Sequence, residues 1–431
     1  MPISEVPLGS WVGVVLGVLV LTLAVFVAPA RGADDDAANK AKVAELIKQL
    51  GDADAKIRQQ AARSLGQMGA TAKEAIPALI KALGDPEIGV RFWAGQALGE
   101  IGPGAKEAVP ALIKVLGDPD VHVRRGAAQV LGVIGREVKE AVPALIKVLG
   151  DLDAQVRGDA AWALGSIYSG AKEAVPELIK TLEDPEARVR WRAAVALTQI
   201  NPDVKEAVPV LVKALGDPDV EVRKSAALAL AHIGPKAKEV LPALIKTLDD
   251  PVWDVRSSAA RALGHIGPAA KEAVPALVKA FGDPDARVAG DAARALGRIG
   301  SDAVPALIKA LGDANAQVRI AAAYAVDLIG PQAKEAVPAL LKTLGDPDAN
   351  VRRAAASALG WMGREVKEIV PVLIKTLGDF DARVREGAVY ALGWVGPEAR
   401  QAIPDLERLA EKDPAESVRQ TAHDALEKIP K

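Results

Sequence analysis

His232 and His265 are the two side chains of this sequence whose type and spacing come closest to a metal or acid–base site. The chain holds only four histidines, three tyrosines and no cysteine. The absence of cysteine excludes disulfides, thiolate zinc sites and cysteine nucleophiles. Two histidines with no matched carboxylate make a poor metal site, so a surface or packing role is favoured for them. The composition therefore favours a structural or binding role over an enzyme.

The interval between these two histidines is the period of a repeat that covers most of the chain, about 33 residues. One anchor position recurs twelve times, and counting from this anchor as zero gives every residue a position in its repeat. The anchors are evenly spaced except for one shorter interval before Pro305, and they are Ala44, Pro77, Pro110, Pro143, Pro176, Pro209, Pro242, Pro275, Pro305, Pro338, Pro371 and Pro404.

Residues 105–140 show that each repeat encodes two helices. Apolar residues recur with helical spacing in the segment AKEAVPALIKVL, and Pro110 stands in its first turn, where a missing N–H costs nothing. Gly117 ends this helix, and Asp118-Pro119 is predicted to start the second one, with Asp118 as its cap. Two short helices alone cannot offset a backbone ordering cost of about 1–2 kcal/mol per residue. The repeats must therefore stack on one another into an α-solenoid.

Two charged positions hardly vary between the repeats. Position 8 is Asp in the first eleven repeats, and position 14 is Arg in ten of those, as in Asp118 and Arg124. A ligand site would not need ten copies, so we interpret the pair as structural. The Asp is predicted to cap the second helix and the Arg to bridge to the Asp of an adjacent repeat. These arginines should not be counted as a nucleic-acid-binding patch.

The shared pattern V-P-A-L-I-K-x-L-G-D-P-x-x-x-V-R-x-x-A-A-x-A-L-G-x-I-G resembles the short HEAT-like repeat found in phycobilisome lyase subunits, over essentially all of residues 42–429. Ankyrin repeats share the period, but their T-P-L-H segment is missing here. The resemblance implies an all-α, right-handed α-solenoid of about twelve two-helix repeats, whose second helices line the concave face. Because such families are used mostly for binding, it also implies a non-enzymatic scaffold for a protein or peptide.

Two enzymatic functions occur among proteins with this kind of repeat. Deoxyhypusine hydroxylases bind two irons through His-Glu dipeptides, but no histidine of this chain is followed by Glu. An accessory or lyase-like subunit of the phycobilisome lyase type remains the alternative function, although nothing in the sequence marks a bilin site. We therefore expect no catalytic, cofactor-binding or metal-binding residues.

Positions 15, 16, 19 and 23 of the second helix differ between the repeats while their neighbours stay fixed. Their spacing places them on one stripe of the helix, opposite the apolar positions. Exposed aromatics on a continuous strip are typical of recognition surfaces, whereas packing between repeats is the alternative explanation. Eight of the twelve aromatics in the repeats occupy these positions and are predicted to bind the partner, namely Phe92, Trp93, Trp162, Trp191, Tyr324, Trp361, Tyr390 and Trp394.

Basic side chains occupy the same four positions in repeats 6 to 8, between the two groups of aromatics. This arrangement fits an acidic or phosphorylated partner, and a merely solvated charge cluster is the alternative. The predicted partner-binding residues of this basic centre are Lys224, His232, Arg261, His265, Arg294 and Arg298, with Asp291 as the only acid at these positions. The formal net charge of −2 gives no general attraction to nucleic acid, and we expect a monomer.

Repeat 8 departs from the others in two ways. Ala289 replaces the arginine of position 14, and the loop to repeat 9 is three residues shorter than its counterparts. We expect the solenoid to change curvature or to hinge at this junction, unless the copy has merely drifted.

Residues 1–33 carry no part of the repeat. Residues 11–28 form an uncharged apolar run, and the small residues that follow resemble a signal peptidase site, which favours an exported protein of the periplasm or cell envelope. No Lys or Arg precedes the run, and its length just reaches the minimum for a spanning helix, so an uncleaved membrane anchor is the alternative. Residues 34–41 are predicted as an acidic linker and 42–431 as the solenoid.

Overall fold

A computed structural model describes residues 33–200, 205–233, 240–362 and 369–429. In these ranges the chain consists of α-helices and 3₁₀ segments joined by short turns, without a β-strand. The chain separates into two compact units, Met1–Ala108 and Val109–Lys431. The apolar run 11–28 lies outside the described residues, and none of the helices described is both long and apolar enough to span a membrane.

The first unit holds two helix pairs, α1 (Ala33–Gln49) with α2 (Ala55–Met68) and α3 (Ile76–Ala82) with α4 (Ile88–Ile101). Helix α1 begins before the repeat pattern does, so that residues 34–41, predicted as a linker, are helical.

The second unit holds ten further helix pairs, each with a short first helix and a longer second helix. In chain order the pairs are α5 (Val109–Val115) with α6 (Val121–Ile134), α7 (Val142–Val148) with α8 (Ala154–Ser166), α9 (Val175–Thr181) with α10 (Ala187–Ile200), α11 (Val208–Ala214) with α12 (Val220–Ile233), α13 (Leu241–Thr247) with α14 (Trp253–Ile266), α15 (Val274–Lys279) with α16 (Ala286–Ile299), α17 (Val304–Ala310) with α18 (Ala316–Ile329), α19 (Val337–Thr343) with α20 (Ala349–Met362), α21 (Ile369–Thr376) with α22 (Ala382–Val395), and α23 (Ile403–Lys412) with α24 (Glu416–Lys428). The predicted α-solenoid of helix pairs is thereby confirmed.

The turn inside each repeat corrects one prediction. Helix α6 begins at Val121, and its cap is Asp120, whose carboxylate accepts hydrogen bonds from the N–H groups of His122 and Val123. Asp118, predicted as the cap, instead accepts the N–H of Asp120 at 2.8 Å and so closes the turn before the helix. The prediction was wrong by two residues because an Asp-Pro pair is typical of turns as well as of helix starts. Gly135 ends the helix at a φ of 70°, which suits glycine.

The arginines of position 14 form the predicted ladder between repeats. Nε and Nη2 of Arg124 bind both carboxylate oxygens of Asp151 at 2.8 and 2.9 Å, while Nη1 donates to the carbonyls of Asp118 and Pro119 in its own turn. Each guanidinium thus ties one intra-repeat turn to the next. Among the described contacts the ladder consists of Arg58–Asp85, Arg124–Asp151, Arg157–Asp184, Arg190–Asp217, Arg223–Asp250, Arg256–Asp283, Arg319–Asp346, Arg352–Asp379 and Arg385–Asp413.

The core of each unit is built from leucine, valine and alanine. The leucine of position 2 is buried in all twelve repeats, as with Leu112 and Leu211. Second helices of neighbouring repeats approach so closely that a Cβ added to Gly264 would lie 2.9 Å from the Cα of Ala295. Even the methyl group of an alanine at position 264 would force these helices apart. The interior therefore has little room for aromatics, and Phe281 of position 6 is the aromatic that is fully buried among the described residues.

The junction after repeat 8 has the shorter connection that the sequence indicates. The 3₁₀ segment Gly300–Ala303 stands where other repeats have a longer segment, such as Gly267–Ala273. Ala289 lies in the first turn of α16 and has no guanidinium to offer Asp313. A hinge at this place stays a prediction.

Candidate functional site

The aromatics of positions 15, 16, 19 and 23 lie at the surface of the second helices. We call these four positions, in each unit by itself, the second-helix stripe. Tyr324 and Tyr390 are 39% and 43% exposed. The remaining aromatics of the stripe with described side chains are half-buried, and they are Phe92, Trp93, Trp162, Trp191 and Trp394. Trp361 belongs to α20, but its side chain lies outside the described part of the structure.

In the first unit, α4 presents two aromatic rings in contact. The rings of Phe92 and Trp93 meet edge to face, with their centroids 5.3 Å apart. The guanidinium of Arg63, on the stripe of α2, lies 5.0 Å from the centroid of the Trp93 ring. Such cation–π and edge-to-face contacts hold large side chains in one orientation at the surface.

In the second unit, Trp162 of α8 is seated against the neighbouring helix α6. Its ring lies directly over Gly132, and a Cβ at that glycine would overlap the ring. Gly132 is therefore the residue that lets the indole lie against the helix, with part of its surface still exposed. A side chain positioned in this way loses little conformational entropy when a partner binds.

Tyr390 and Trp394 form an aromatic pair one turn apart on α22. Their centroids are 6.0 Å apart at an interplanar angle of 64°. Beside Trp394 is a pocket of about 280 Å³ that is also lined by Gly393, Gly396, Pro397 and Lys428. The Lys428 ammonium lies 5.8 Å from the centroid of the Trp394 ring. This end of the stripe offers an aromatic surface with one nearby cation.

The basic centre is less positive than its sequence suggests. Lys224 binds the carboxylates of Glu221 at 2.8 Å and Asp254 at 3.2 Å, and Arg294 binds Asp291 at 2.7 Å. Glu221 and Asp254 both fall at position 12, one turn before the stripe, so the sequence comparison of stripe positions could not show them. The centre retains two exposed arginines, Arg261 and Arg298.

His232 and His265 lie side by side on successive second helices. Their ring centroids are 6.2 Å apart and the rings are inclined by 22°, a stacked arrangement. Burial, and next the charge of Arg298, hold the pKa of His265 below its ordinary value. Across the described ranges, no group of three or more His, Cys, Asp or Glu side chains is placed to hold a metal ion. The two imidazole rings therefore form a stacked pair on successive second helices.

Sequence reasoning missed one cluster on the stripe. Asp159 of α8 is buried and lies within ion-pair distance of Arg125, Arg188 and Arg192, which belong to the helices on either side. Asp159 and Arg192 share position 16 of successive repeats, and Arg125 has position 15, so the stripe itself contained the signal. Their meeting depends on three repeats packing together, which spacing along the chain does not reveal.

Comparison with known proteins identifies the repeat. The family model described as HEAT repeats matches the chain at residues 43–132, 109–184, 142–231, 175–264, 241–326, 304–369 and 337–427. Together these matches extend from residue 43 to residue 427. Among curated proteins, none matches the sequence.

Solved structures with a similar fold include three large solenoids. Importin beta, crystallised in an ammonium sulfate condition, aligns with a TM-score of 0.62 and 16% identity over 89% of this chain and 60% of that chain. Kap95p, whose binding induces the switch loops of RanGDP to adopt the GTP-bound conformation, aligns with a TM-score of 0.61 and 16% identity over 90% of this chain and 60% of that chain. The karyopherin Kap121p, bound to the extreme C-terminus of the phosphatase Cdc14p, aligns with a TM-score of 0.58 and 16% identity over 98% of this chain and 52% of that chain. At this identity the likeness shows the fold, and the chain spans half to three fifths of these proteins.

Proposed function

Because this chain belongs to the HEAT-repeat family, we propose that it is a non-enzymatic scaffold that binds a protein or peptide along its second-helix stripe. The observation that carries the proposal is the position of the aromatics. The core uses leucine, valine and alanine, whereas the described stripe aromatics all lie at the surface. Trp and Tyr dominate the energetics of protein interfaces. The resemblance to HEAT-like repeats implies that these helices line a concave face.

The contacts of the stripe aromatics support a binding surface that is formed before the partner arrives. Trp162 lies against Gly132, and Tyr390 contacts Trp394 edge to face. Side chains that are already oriented lose less conformational entropy on binding than flexible ones do. The Kap121p structure, in which a karyopherin holds the end of another protein's chain, is a precedent for this use of the fold.

The charge of the stripe supports an acidic partner segment. Arg261 and Arg298 are exposed on the stripe of repeats 7 and 8, which follow one group of aromatics along the chain and precede the other. Opposite charges across an interface mainly raise the association rate and fix the register of the partner. We therefore propose a partner segment that combines apolar side chains with acidic ones.

A lyase-like subunit remains the second candidate function. The matching family model is that of HEAT repeats in general, which does not distinguish the phycobilisome lyase type. A chromophore or metal that copurifies with the protein would favour this candidate. Colourless, metal-free protein that retains a partner through the stripe would favour the scaffold.

Site-specific photo-crosslinking tests the proposed function. A photoreactive phenylalanine analogue replaces Tyr390, on the stripe of repeat 11, or Lys375, which is exposed on the first helix of the same repeat. We expect one partner to be crosslinked through position 390 and not through position 375. Equal crosslinking from both positions, or crosslinking from position 375 alone, would place the binding surface elsewhere and reject the proposal.

For the location of the protein, the N-terminal sequence supports export followed by cleavage. We propose that the mature chain begins near residues 31–34 and acts outside the cytoplasm. N-terminal sequencing of the purified protein tests this. A chain that begins at Met1 or Pro2 and sediments with membranes would establish an anchor instead.

A further inference from the structure

A buried carboxylate in the second unit is surrounded by more positive charge than it can balance. Asp159 Oδ2 accepts hydrogen bonds from Arg125 Nε at 3.3 Å and from Gln129 Nε2 at 2.9 Å. Its Oδ1 accepts a hydrogen bond from Arg192 Nη1 and lies 3.7 Å from Arg188 Nη2. These side chains come from three successive second helices, α6, α8 and α10. Three guanidiniums therefore share one carboxylate, which leaves two positive charges in excess.

The exposure of the three arginines shows where this excess charge is available. The side chain of Asp159 is 1% exposed, while those of Arg192, Arg125 and Arg188 are 15%, 26% and 48% exposed. The Nε of Arg192 is buried and has no hydrogen-bond acceptor among the described residues. Burial, and then the charges of Arg188 and Arg125, lower the pKa of Arg192 against the effect of Asp159. An additional anion would relieve this repulsion at the open side of the cluster.

A glycine lies beside the cluster. Gly158 occupies position 15, where neighbouring repeats carry large side chains such as Arg125 and Trp191. A Cβ added at Gly158 would lie 3.4 Å from Arg192 Cδ and 3.9 Å from Arg188 Cγ. A methyl group would fit at these distances, whereas a longer side chain at this position would compete with the two arginine stems for space. The half-buried rings of Trp162 and Trp191 follow on the same stripe within one turn of the cluster.

We propose that Arg125, Arg188 and Arg192 form an oxyanion-binding site that holds an acidic group of the bound peptide beside Trp162 and Trp191. The planar guanidinium suits a carboxylate or a phosphoryl group, because it donates two parallel hydrogen bonds to either. Asp159 is the positioning residue that gathers the three arginines. This inference rests on the proposed function, and it locates an acidic contact outside the basic centre, in repeats 3 to 5.

Peptide binding to the full chain tests the site. The probes are three fluorescent peptides of otherwise identical sequence, which carry Glu, Gln or phosphoserine at the same positions. Binding is followed by fluorescence anisotropy. We expect the Glu peptide to bind about tenfold more tightly than the Gln peptide, the size expected for a charge-assisted hydrogen bond. A stronger preference for the phosphoserine peptide would identify a phosphoryl group as the anion, and a preference for Glu would identify a side-chain carboxylate.

Arg188→Gln is the informative variant, because its head is half exposed and its loss should leave the fold intact. Arg383→Gln is the matched control, since Arg383 is exposed on α22 at the same repeat position as Arg188 and lies off the second-helix stripe. We expect R188Q to weaken binding of the preferred anionic peptide about fivefold and R383Q to leave it unchanged. Equal affinity for all three peptides, no binding of any of them, or equal losses in both variants would overturn the site. Photo-crosslinking from position 390 does not involve this cluster, so the proposed function would be judged separately.

Discussion

Asp327, in the second unit, has a largely buried carboxylate in an environment that does not stabilise its charge. It lies in α18 at position 22, where other repeats have a small residue such as Gly264 or Gly360 against the next helix. Its Oδ1 is buried and has no hydrogen-bond donor among the described residues. Burial raises the pKa of this carboxyl from 3.8 to about 6. Asp327 is therefore expected to destabilise the repeat wherever it is ionised.

The first prediction concerns the pH dependence that this carboxyl imposes. Between pH 3.8 and about pH 6 the folded chain binds a proton that the unfolded chain has released, so stability falls as the pH rises through this window and stays low at pH 7. Asp327→Asn should remove this decline and raise the free energy of unfolding at pH 7 by about 3 kcal/mol. Urea unfolding of both proteins across this pH range is the measurement. An unchanged pH dependence in the variant would show that Asp327 is solvated or paired.

At the residue scale, the sequence predicts which positions of a helix face the surface, but it does not predict which side chains form ion pairs with one another. The surface position of Tyr390 follows from its place opposite the apolar positions of its helix, because that face is fixed by a 3.6-residue period. The neutralisation of Lys224 by Glu221 and Asp254 does not follow, since Asp254 belongs to the next repeat. Contacts of long side chains between repeats depend on the packing of helices that no local pattern specifies.

At the scale of helices and turns, the Arg–Asp ladder is interrupted at Ala289, where a substitution could restore the missing arginine. Arg256 of α14 binds Asp283 through Nε and Nη2 at 2.6 and 2.8 Å, whereas Ala289 occupies the same position in α16. In the Arg58–Asp85 pair, the arginine holds the pKa of the aspartate below its ordinary value, chiefly through their hydrogen bond. The stabilisation is therefore complete at neutral pH and is lost as the pH falls below 3.8.

The second prediction is that Ala289→Arg extends the ladder to Asp313. The new guanidinium should raise the free energy of unfolding at pH 7 by about 1 kcal/mol, and this gain should disappear in acid. Ala289→Gln is the control, because it adds comparable length without charge. Thermal melts of both variants at pH 7 give the comparison. If the Arg variant melts no higher than the Gln variant, the shorter junction has moved Asp313 out of reach.

The third prediction concerns the core leucine of a single helix pair. Leu211 of α11 is 2% exposed, so Leu211→Ala should cost about 2–5 kcal/mol through lost burial and the cavity left behind. Because solenoid repeats contact chiefly their neighbours, the damage should stay near repeats 5 to 7. Hydrogen exchange followed by mass spectrometry measures this directly. A uniform loss of protection in all repeats would contradict nearest-neighbour stacking.

Elements that recur in most or all repeats could be predicted from the sequence, because the same residue pattern is present in each copy. The helix pairs, the buried leucine of position 2 and the ladder are of this kind. The start of the second helix was misplaced because the capping residue varies: Asp120 caps α6, while Glu87 and Val252 stand at the same place in other repeats. The Asp159 cluster depends on three second helices packing together, and no repeated pattern marks it.

At the scale of the whole chain, residues that hold the fold and residues proposed to bind are different sets. Positions that hardly vary between repeats carry the core and the ladder, and in a solenoid these must be copied because each repeat packs on the next. The second-helix stripe is free of that requirement, and it carries most of the aromatics. Substitutions on the stripe should therefore separate binding from stability, whereas substitutions in the core should not.

The measurement that tests this separation most directly is a binding titration beside a thermal melt, with the partner that is crosslinked through position 390. Three proteins are compared: the unaltered chain, the stripe variant Tyr390→Ala/Trp394→Ala, and the core variant Leu211→Ala. We predict that the stripe variant weakens binding by about 2–4 kcal/mol, as interface hot spots do, while its melting temperature falls less than that of Leu211→Ala. If the stripe variant instead loses as much stability as Leu211→Ala and binds the partner with unchanged affinity, the aromatics are packing residues and the binding surface lies elsewhere.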